Sequence, residues 1–245
     1  MQISSPLFYV LRFKLNLITV LMRDTNTNIL VVDDHPINTD AYINLISSNA
    51  KEQNAVFHKS SNCYMAFKKI EQLEKGDVRL DIALVDINIP EYREEKLLSG
   101  IDIALLVRKA FPECIIIMLT MHSEPLLLYN VHMKVNPEGF ISKNDIDFET
   151  FPGVFERIIN TENYYSPAIN NSIQFLLRQT IKWDEYDTQI VLYLDKGIQT
   201  KDLPQYIGLS LSSIEKRKAT LKRQIVDRKA TDSELIEKCK LLKLI

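Results

Sequence analysis

Short apolar runs that end in a polar residue recur along the first two thirds of the chain, with helical stretches between them. The runs are continuous rather than alternating, as expected for strands buried on both faces of a parallel sheet. They cover residues 28–34, 81–87, 114–120 and 139–143, with a weaker candidate at 55–61. Helical periodicity fits residues 36–49, 62–75, 100–110, 124–133 and 148–159. This alternation predicts an α/β fold: a doubly wound, five-stranded parallel sheet with helices on both faces.

Polar side chains follow four of these predicted strands. Asp33 and Asp34 end the first strand, Asp86 the third, Thr120 the fourth and Lys143 the fifth. Ligands of open parallel sheets bind at the carboxyl ends of the strands, so we expect these side chains to converge. Three clustered carboxylates repel one another and favour a hard cation such as Mg²⁺. With that charge screened, Asp86 could attack a phosphoryl group and form an acyl phosphate, to which Thr120 would donate its hydroxyl.

Residues 28–160 resemble the receiver domain of two-component response regulators. The resemblance rests on the segments ILVVDDHP (29–36), LVDINIP (84–90), IIIMLTMH (115–122) and PEGFISKND (137–145). It implies that Asp86 is the phosphoacceptor, with Thr120 and Phe140 as switch residues and Lys143 in contact with the phosphoryl group. It also implies that Mg²⁺ is the cofactor. The implied metal ligands are Asp33, Asp34, Asp86 and the backbone carbonyl of Asn88.

Such a receiver accepts its phosphoryl group from a sensor histidine kinase. It is expected to dephosphorylate itself at most, and not to be a dedicated enzyme. Two departures stand out: Met121 replaces the usual small residue after the switch threonine, and Gly100 lies unusually far beyond Asp86. A phosphatase of the haloacid dehalogenase type is a weaker interpretation. That class needs an aspartate two positions after its nucleophile, and Asn88 cannot transfer protons.

Charge separates the two parts of the chain. Residues 1–180 hold 17 basic and 22 acidic residues, whereas residues 181–245 hold 13 and 10. Residues 212–229 alone hold seven basic residues and two acidic ones. An acidic first part and a locally basic second part predict two domains with different partners.

The basic segment has the pattern of a helix-turn-helix. Asp184 is expected to cap a first helix that Gly197 ends, Thr200 a short second helix, and Ser210 a third. Ile214, Leu221 and Ile225 would form the buried side of the third helix, and a basic helix of this kind can enter the major groove. The predicted DNA-binding residues are Ser212, Ser213, Glu215, Lys216, Arg217, Ala219, Lys222 and Arg223.

Residues 195–225 resemble the output domain of LuxR/NarL-type regulators, and residues 232–245 resemble its closing helix. The YYS element after the receiver, the long loop after Asp86 and the IEKRK string resemble those of response regulators of the Bacteroidetes group. The resemblance implies a cytoplasmic transcription regulator, paired as a homodimer on promoter DNA, with RNA polymerase as a further partner and no membrane association. Two alternatives stay open: a receiver that acts without phosphorylation, and an output domain that binds protein rather than DNA.

The sequence thus predicts an N-terminal extension at 1–26, a receiver domain at 27–160, a linker at 161–180 and a LuxR-type helix-turn-helix domain at 181–245. Residues 7–22 are mostly apolar, but Arg12 and Lys14 interrupt them, which disfavours a membrane span or a signal peptide. The three cysteines have no CxxC spacing and their number is odd. That pattern favours a reducing compartment and disfavours a disulfide framework or a zinc site.

Overall fold

The computed structural model describes residues 27–48, 54–160, 162–180, 183–226 and 229–245. The predicted N-terminal extension, residues 1–26, lies outside them. The described strands form one parallel sheet in the order β2-β1-β3-β4-β5-β6. They are β1 (Asn28–Val32), β2 (Val56–Ser60), β3 (Ile82–Asp86), β4 (Ile115–Thr120), β5 (Gly139–Ser142) and β6 (Tyr164–Tyr165).

Helices cover both faces of this sheet and continue beyond it. Those that alternate with strands are α1 (Pro36–Ser47), α2 (Cys63–Lys75), α3 (Gly100–Ala110), α4 (Pro125–Val135) and α5 (Phe151–Ile159). Those that follow are α6 (Pro167–Thr180), α7 (Glu185–Asp195), α8 (Leu211–Ile225) and α9 (Asp232–Leu241). No helix in the described ranges is long and apolar enough to cross a membrane.

The alternation of side chains along each strand explains why two helical layers are needed. In β1, Ile29 and Val31 face α1 and α5, whereas Leu30 and Val32 face α2, α3 and α4. All four side chains are buried, so neither face of the strand meets water. The predicted α/β class and its parallel sheet are confirmed, because only such a two-sided cover hides a continuous apolar run.

The predicted number of strands is wrong by one. A sixth strand, β6, pairs with β5 at the edge of the sheet, with Gly139 opposite Tyr164 and Phe140 opposite Tyr165. A two-residue strand has too few positions to show any periodicity. The segment predicted as a linker, 161–180, therefore includes this strand and the helix α6, whose Ile169, Ile173 and Leu177 are buried.

The C-terminal helices follow the predicted helix-turn-helix pattern. The side chains of Asp184 and Ser210 accept backbone hydrogen bonds at the N-termini of α7 and α8, and Gly197 has the positive φ expected after a helix. The middle element is a 3-10 helix, Thr200–Gln205. Its N-cap is Gln199, so the prediction that Thr200 caps it is wrong.

The helix-turn-helix part packs directly on the α/β part. One continuous apolar cluster joins α4 and α6 to residues of α8 and α9. Leu221 and Ile225 of α8 contribute to it, as do Leu235 and Cys239 of α9. The second part thus contacts the receiver part through this apolar cluster.

Candidate functional site

The side chains predicted to converge at the carboxyl ends of the strands include a salt-bridged trio. The Nζ atom of Lys143 lies 2.7 Å from Oδ2 of Asp33 and 2.6 Å from Oδ2 of Asp86. Both carboxylates are almost fully buried. Lys143 follows β5 directly, and the aspartates belong to the ends of β1 and β3, so the parallel topology alone brings them together.

Backbone and amide groups fix the two carboxylates. Asp33 accepts a hydrogen bond of 2.9 Å from the backbone N–H of His35, and the amide of Asn38 lies 3.3 Å from each of its oxygens. Asp86 accepts a bond of 3.3 Å from the backbone N–H of Asn88. Sequence reasoning missed Asn38, although its place in the first turn of α1 is a signal that could have found it.

Asp34 occupies the outer edge of the site. Its Oδ1 atom lies 2.7 Å from Nδ1 of the exposed His35. Oxygen and nitrogen atoms of Asp33, Asp34 and His35 lie within 4.8 Å of one another. Sequence reasoning also missed His35, whose adjacency to the acidic pair was the only signal.

Gly100 explains how the long loop after Asp86 returns to the site. The loop folds into a short hairpin in which Tyr92 pairs with Leu97, and Gly100 then begins α3. A Cβ atom on Gly100 would lie 1.8 Å from the backbone oxygen of Asp86. Only glycine allows the helix to approach the backbone of the phosphoacceptor candidate this closely.

Burial and charge act in opposite directions on the trio. Burial raises the pKa of Asp86 above its ordinary value, although the Lys143 ammonium and the Asn88 N–H lower it. Burial lowers the pKa of Lys143, but its hydrogen bonds to Asp33 and Asp86 more than compensate, and the pKa is raised. The ammonium thus stays charged at neutral pH and screens two of the carboxylates.

Thr120 and Phe140 lie deeper in the sheet. The Thr120 hydroxyl oxygen accepts a hydrogen bond of 2.9 Å from the backbone N–H of His122. Phe140 is fully buried, and its ring centroid lies 5.6 Å from that of Tyr165 in an edge-to-face arrangement. Sequence reasoning did not predict this contact, because Tyr165 fell in the presumed linker.

A cavity of about 470 Å³ opens beside Asp86 and Lys143. Tyr42 and Phe151 form an apolar wall on one side, with ring centroids 5.1 Å apart. Met121 lines the mouth of the cavity and its side chain is largely exposed, so it narrows the approach to Asp86 without filling the site.

The donor set fits a divalent cation. One ammonium balances one of the three carboxylates of Asp33, Asp34 and Asp86, which leaves two negative charges. Carboxylate and carbonyl oxygens are the ligands that Mg²⁺ prefers, and it keeps several waters at such sites. The partly exposed Asp34 leaves one side of the cluster open to water.

The predicted DNA-binding helix, α8, presents the two faces expected from its sequence. Ile214, Leu221 and Ile225 are buried on one side. The opposite stripe is exposed and consists of Ser212, Glu215, Lys216, Ala219 and Arg223. Within the described ranges neither Lys216 nor Arg223 forms an ion pair, so both charges are available to a ligand.

Other basic side chains of α8 are bound within the chain. Arg217 lies 2.9 Å from Asp184 and 2.8 Å from Asp187 of the α7 terminus. Lys222 lies 2.7 Å from Asp232, which begins α9. Arg217 and Lys222, which are predicted to contact DNA, link helices in this structure. The backbone N–H of Ser213 donates a hydrogen bond to the hydroxyl of the N-cap Ser210.

The first part of the chain matches a known protein family. Residues 29–150 match the model of the response regulator receiver domain. No curated protein matches the chain significantly.

Two solved structures align with nearly the whole chain. One is RcsB from Salmonella enterica serovar Typhimurium bound to promoter P1flhDC in the presence of phosphomimetic BeF3⁻. It is 16% identical, with a TM-score of 0.53, and the alignment covers 89% of this chain and 100% of that one. The other contains two RcsB dimers bound to two parallel DNAs, with 17% identity, a TM-score of 0.50, and coverage of 89% and 99%. At these identities the likeness shows a shared fold.

Proposed function

Because residues 29–150 form a response regulator receiver domain, we propose that this chain is a DNA-binding response regulator that is phosphorylated on Asp86. The observation that carries the proposal is the Lys143 ammonium, which lies within 2.7 Å of both Asp33 and Asp86 at the carboxyl edge of the sheet. This arrangement provides a carboxylate nucleophile and a cation for phosphoryl oxygens in one buried site.

The phosphoryl group would come from a phosphohistidine of a sensor kinase. An oxygen of Asp86 attacks phosphorus, the phosphorus–nitrogen bond breaks, and its electron pair returns to the imidazole of the donor. Lys143 holds the phosphoryl oxygens, and the Thr120 hydroxyl donates a hydrogen bond to them. Asp33, Asp34, Asp86 and the Asn88 carbonyl are the groups that would hold Mg²⁺. When bound, the cation would supply positive charge beside the phosphoryl oxygens.

The output part is proposed to bind promoter DNA through the exposed stripe of α8. Lys216 lies near the N-terminus of the helix, where recognition helices reach base edges, and Arg223 lies two turns later. The similar RcsB structures contain DNA, and one contains RcsB dimers, which supports a homodimer on DNA. The three cysteines are free and buried, which supports a reducing, cytoplasmic location.

One observation favours a second candidate function, an output domain that binds protein. Arg217 and Lys222 form ion pairs within the chain, so α8 has fewer unpaired cations than its sequence suggests. Salt separates the two candidates, since DNA affinity falls steeply as salt rises through counterion release. A nearly salt-independent interaction of the output part would favour protein binding.

The phosphoacceptor is tested with Asp86→Asn. We expect the variant to take up no acid-labile phosphate from acetyl phosphate with Mg²⁺, because the amide is not a nucleophile of comparable strength. Asp40→Asn is the matched control: it changes an exposed carboxylate of α1 that pairs with Lys59 outside the trio. Uptake by Asp86→Asn at the wild-type rate would refute the assignment, provided that both variants keep the wild-type circular dichroism spectrum.

A further inference from the structure

A continuous set of contacts runs from the phosphoryl site to the end of the DNA-reading helix. It starts at β5, which ends at Lys143 and carries Phe140. The strand β6 pairs with β5: the backbone N–H of Ser166 donates to the Phe140 carbonyl at 2.9 Å, and the Ser142 N–H donates to the Ser166 hydroxyl at 3.0 Å. Tyr165, in β6, therefore moves with β5.

His132 connects Tyr165 to α8. Its Nδ1 atom lies 3.0 Å from the Tyr165 hydroxyl, and its Nε2 atom lies 2.9 Å from the backbone carbonyl oxygen of Ile225. A carbonyl oxygen can only accept, so Nε2 carries the proton and donates to Ile225. In the neutral ring Nδ1 then carries no proton, so it accepts from the Tyr165 O–H. The direction of both hydrogen bonds is thereby determined by the chemistry of the partners.

The bridge lies where water cannot replace it. His132 and Tyr165 are almost fully buried, and Ile225 is completely so. The ring of Tyr165 also lies edge-on to Phe140 and to His132, with centroids 5.6 Å apart in both pairs. A displaced Tyr165 hydroxyl would leave the His132 acceptor unsatisfied in an apolar cluster, which is costly. A movement of β6 would therefore break a hydrogen bond that ends at the last turn of α8.

We propose that Tyr165 and His132 are positioning residues that couple the phosphoryl state of Asp86 to the docking of α8 on the receiver. Phosphoryl oxygens on Asp86 take the place of the carboxylate oxygen that Lys143 now contacts. Lys143 shifts with the end of β5, and β6 carries the Tyr165 hydroxyl away from His132. The coupling rests on the proposed function, because it needs a loaded Asp86.

The contact between α8 and the receiver leaves the exposed stripe of α8 uncovered. Lys216 and Arg223 stay exposed, while Leu221 and Ile225 are buried in the apolar cluster that α8 shares with the receiver. Release of the bridge would therefore allow the exposed stripe of α8 to change its position relative to the receiver.

The test uses hydrogen–deuterium exchange of the full chain, with and without Mg²⁺ and beryllium trifluoride as the phosphoryl mimic. We expect loading to raise exchange at residues 221–226 and 129–135 of the wild type by about three- to tenfold, the effect of losing one buried hydrogen bond. Fluorine NMR of the bound mimic measures loading independently.

Three hydroxyl deletions separate the coupling from docking in general. Tyr165→Phe should raise exchange without the mimic and abolish most of the further rise on loading. Tyr129→Phe removes a separate contact with Gln224 of α8, so it should raise basal exchange but keep the rise on loading. Tyr164→Phe, next to Tyr165 and packed on the other face of the sheet, is the matched control and should change neither.

Each result decides a different point. A full rise on loading in Tyr165→Phe, or a loaded wild type with unchanged exchange at 221–226, overturns the coupling. A wild type that binds no mimic refutes the phosphoryl site instead, as the fluorine signal shows directly. In that case equal basal exchange in Tyr165→Phe and Tyr164→Phe would still overturn the bridge. If Tyr165→Phe is poorly folded, His132→Gln replaces it, because glutamine keeps a donor for the Ile225 carbonyl. A full rise in exchange at 221–226 on loading in this variant would likewise overturn the coupling.

Discussion

Gly100→Ala places one methyl group against the backbone of the phosphoacceptor. The added Cβ would lie 1.8 Å from the backbone oxygen of Asp86, 2.8 Å from its carbonyl carbon and 3.0 Å from a methyl group of Val85. To restore a separation of 3.0 Å from the oxygen, α3 must move by about 1.2 Å. The obstacle is backbone of the central strand β3, which cannot rotate away as a flexible side chain would.

The cost follows from that geometry. Overpacking a buried site costs about 1–3 kcal/mol. We expect the upper end, about 3 kcal/mol, because moving α3 also breaks the 3.0 Å hydrogen bond from the Gly100 N–H to the Ile87 carbonyl. The backbone of Gly100 has no positive φ, so the loss comes from collision and not from conformational strain. Displacement of Asp86 should also slow phosphate uptake.

Urea unfolding measures the effect, with the change in midpoint converted at a constant slope. Gly153→Ala is the matched control, because a Cβ there meets nothing within 4 Å. In the exposed α5 position this control should gain about 0.5–1 kcal/mol from helix propensity. If Gly100→Ala unfolds within about 0.5 kcal/mol of the wild type and is phosphorylated at the same rate, α3 does not pack against Asp86 as described.

Three further predictions concern α8 and its docking. Lys216→Ala should relax sequence preference by about 1–3 kcal/mol of discrimination, whereas Arg223→Ala should weaken binding to all sequences and lower the salt slope by about one, both by fluorescence anisotropy. Arg217→Ala should instead destabilise the chain by about 1–3 kcal/mol in urea, because it removes the cation that pairs with the buried Asp187 carboxylate. Burial lowers the pKa of His132 to about 4, so its contribution to stability is complete above pH 6.5 and is lost as the pH falls toward 4. Wild type should therefore lose about 2–3 kcal/mol more than His132→Gln between pH 7 and pH 4.5, and equal losses would contradict that assignment.

The convergence of Asp33, Asp86 and Lys143 is predictable from the sequence because strand ends are local features. Each of these residues ends or follows an apolar run, and the parallel order of the strands places all three at one edge of the sheet. The roles of basic residues are less predictable. Arg217 lies on a basic helix and is therefore predicted to contact DNA. Its ion-pair partners, Asp184 and Asp187, lie about thirty positions earlier in the sequence. No periodicity in α8 can indicate a partner on another helix.

The same limit explains why the docking of the two parts was not foreseen. The sequence correctly predicts that Ile225 of α8 is buried. It does not show that residues of the receiver contribute to that burial. His132 falls in a helix with an apolar pattern, where a histidine is usually a satisfied core residue. Its two hydrogen bonds join elements that are 33 and 93 positions away. Only the three-dimensional arrangement makes it a contact between domains.

The position of α9 restricts how phosphorylation could act on DNA binding. In the docked arrangement the reading stripe of α8 is exposed, so a mechanism that simply uncovers it has nothing to uncover. Leu235 and Cys239 of α9, by contrast, are buried in the cluster shared with the receiver. If two copies pair on DNA through the part of this closing helix that faces the receiver, docking and pairing compete for that surface. Phosphorylation would then regulate pairing, and the affinity of a single output domain for a half-site would change little. A half-site affinity that rises strongly on loading would exclude this competition.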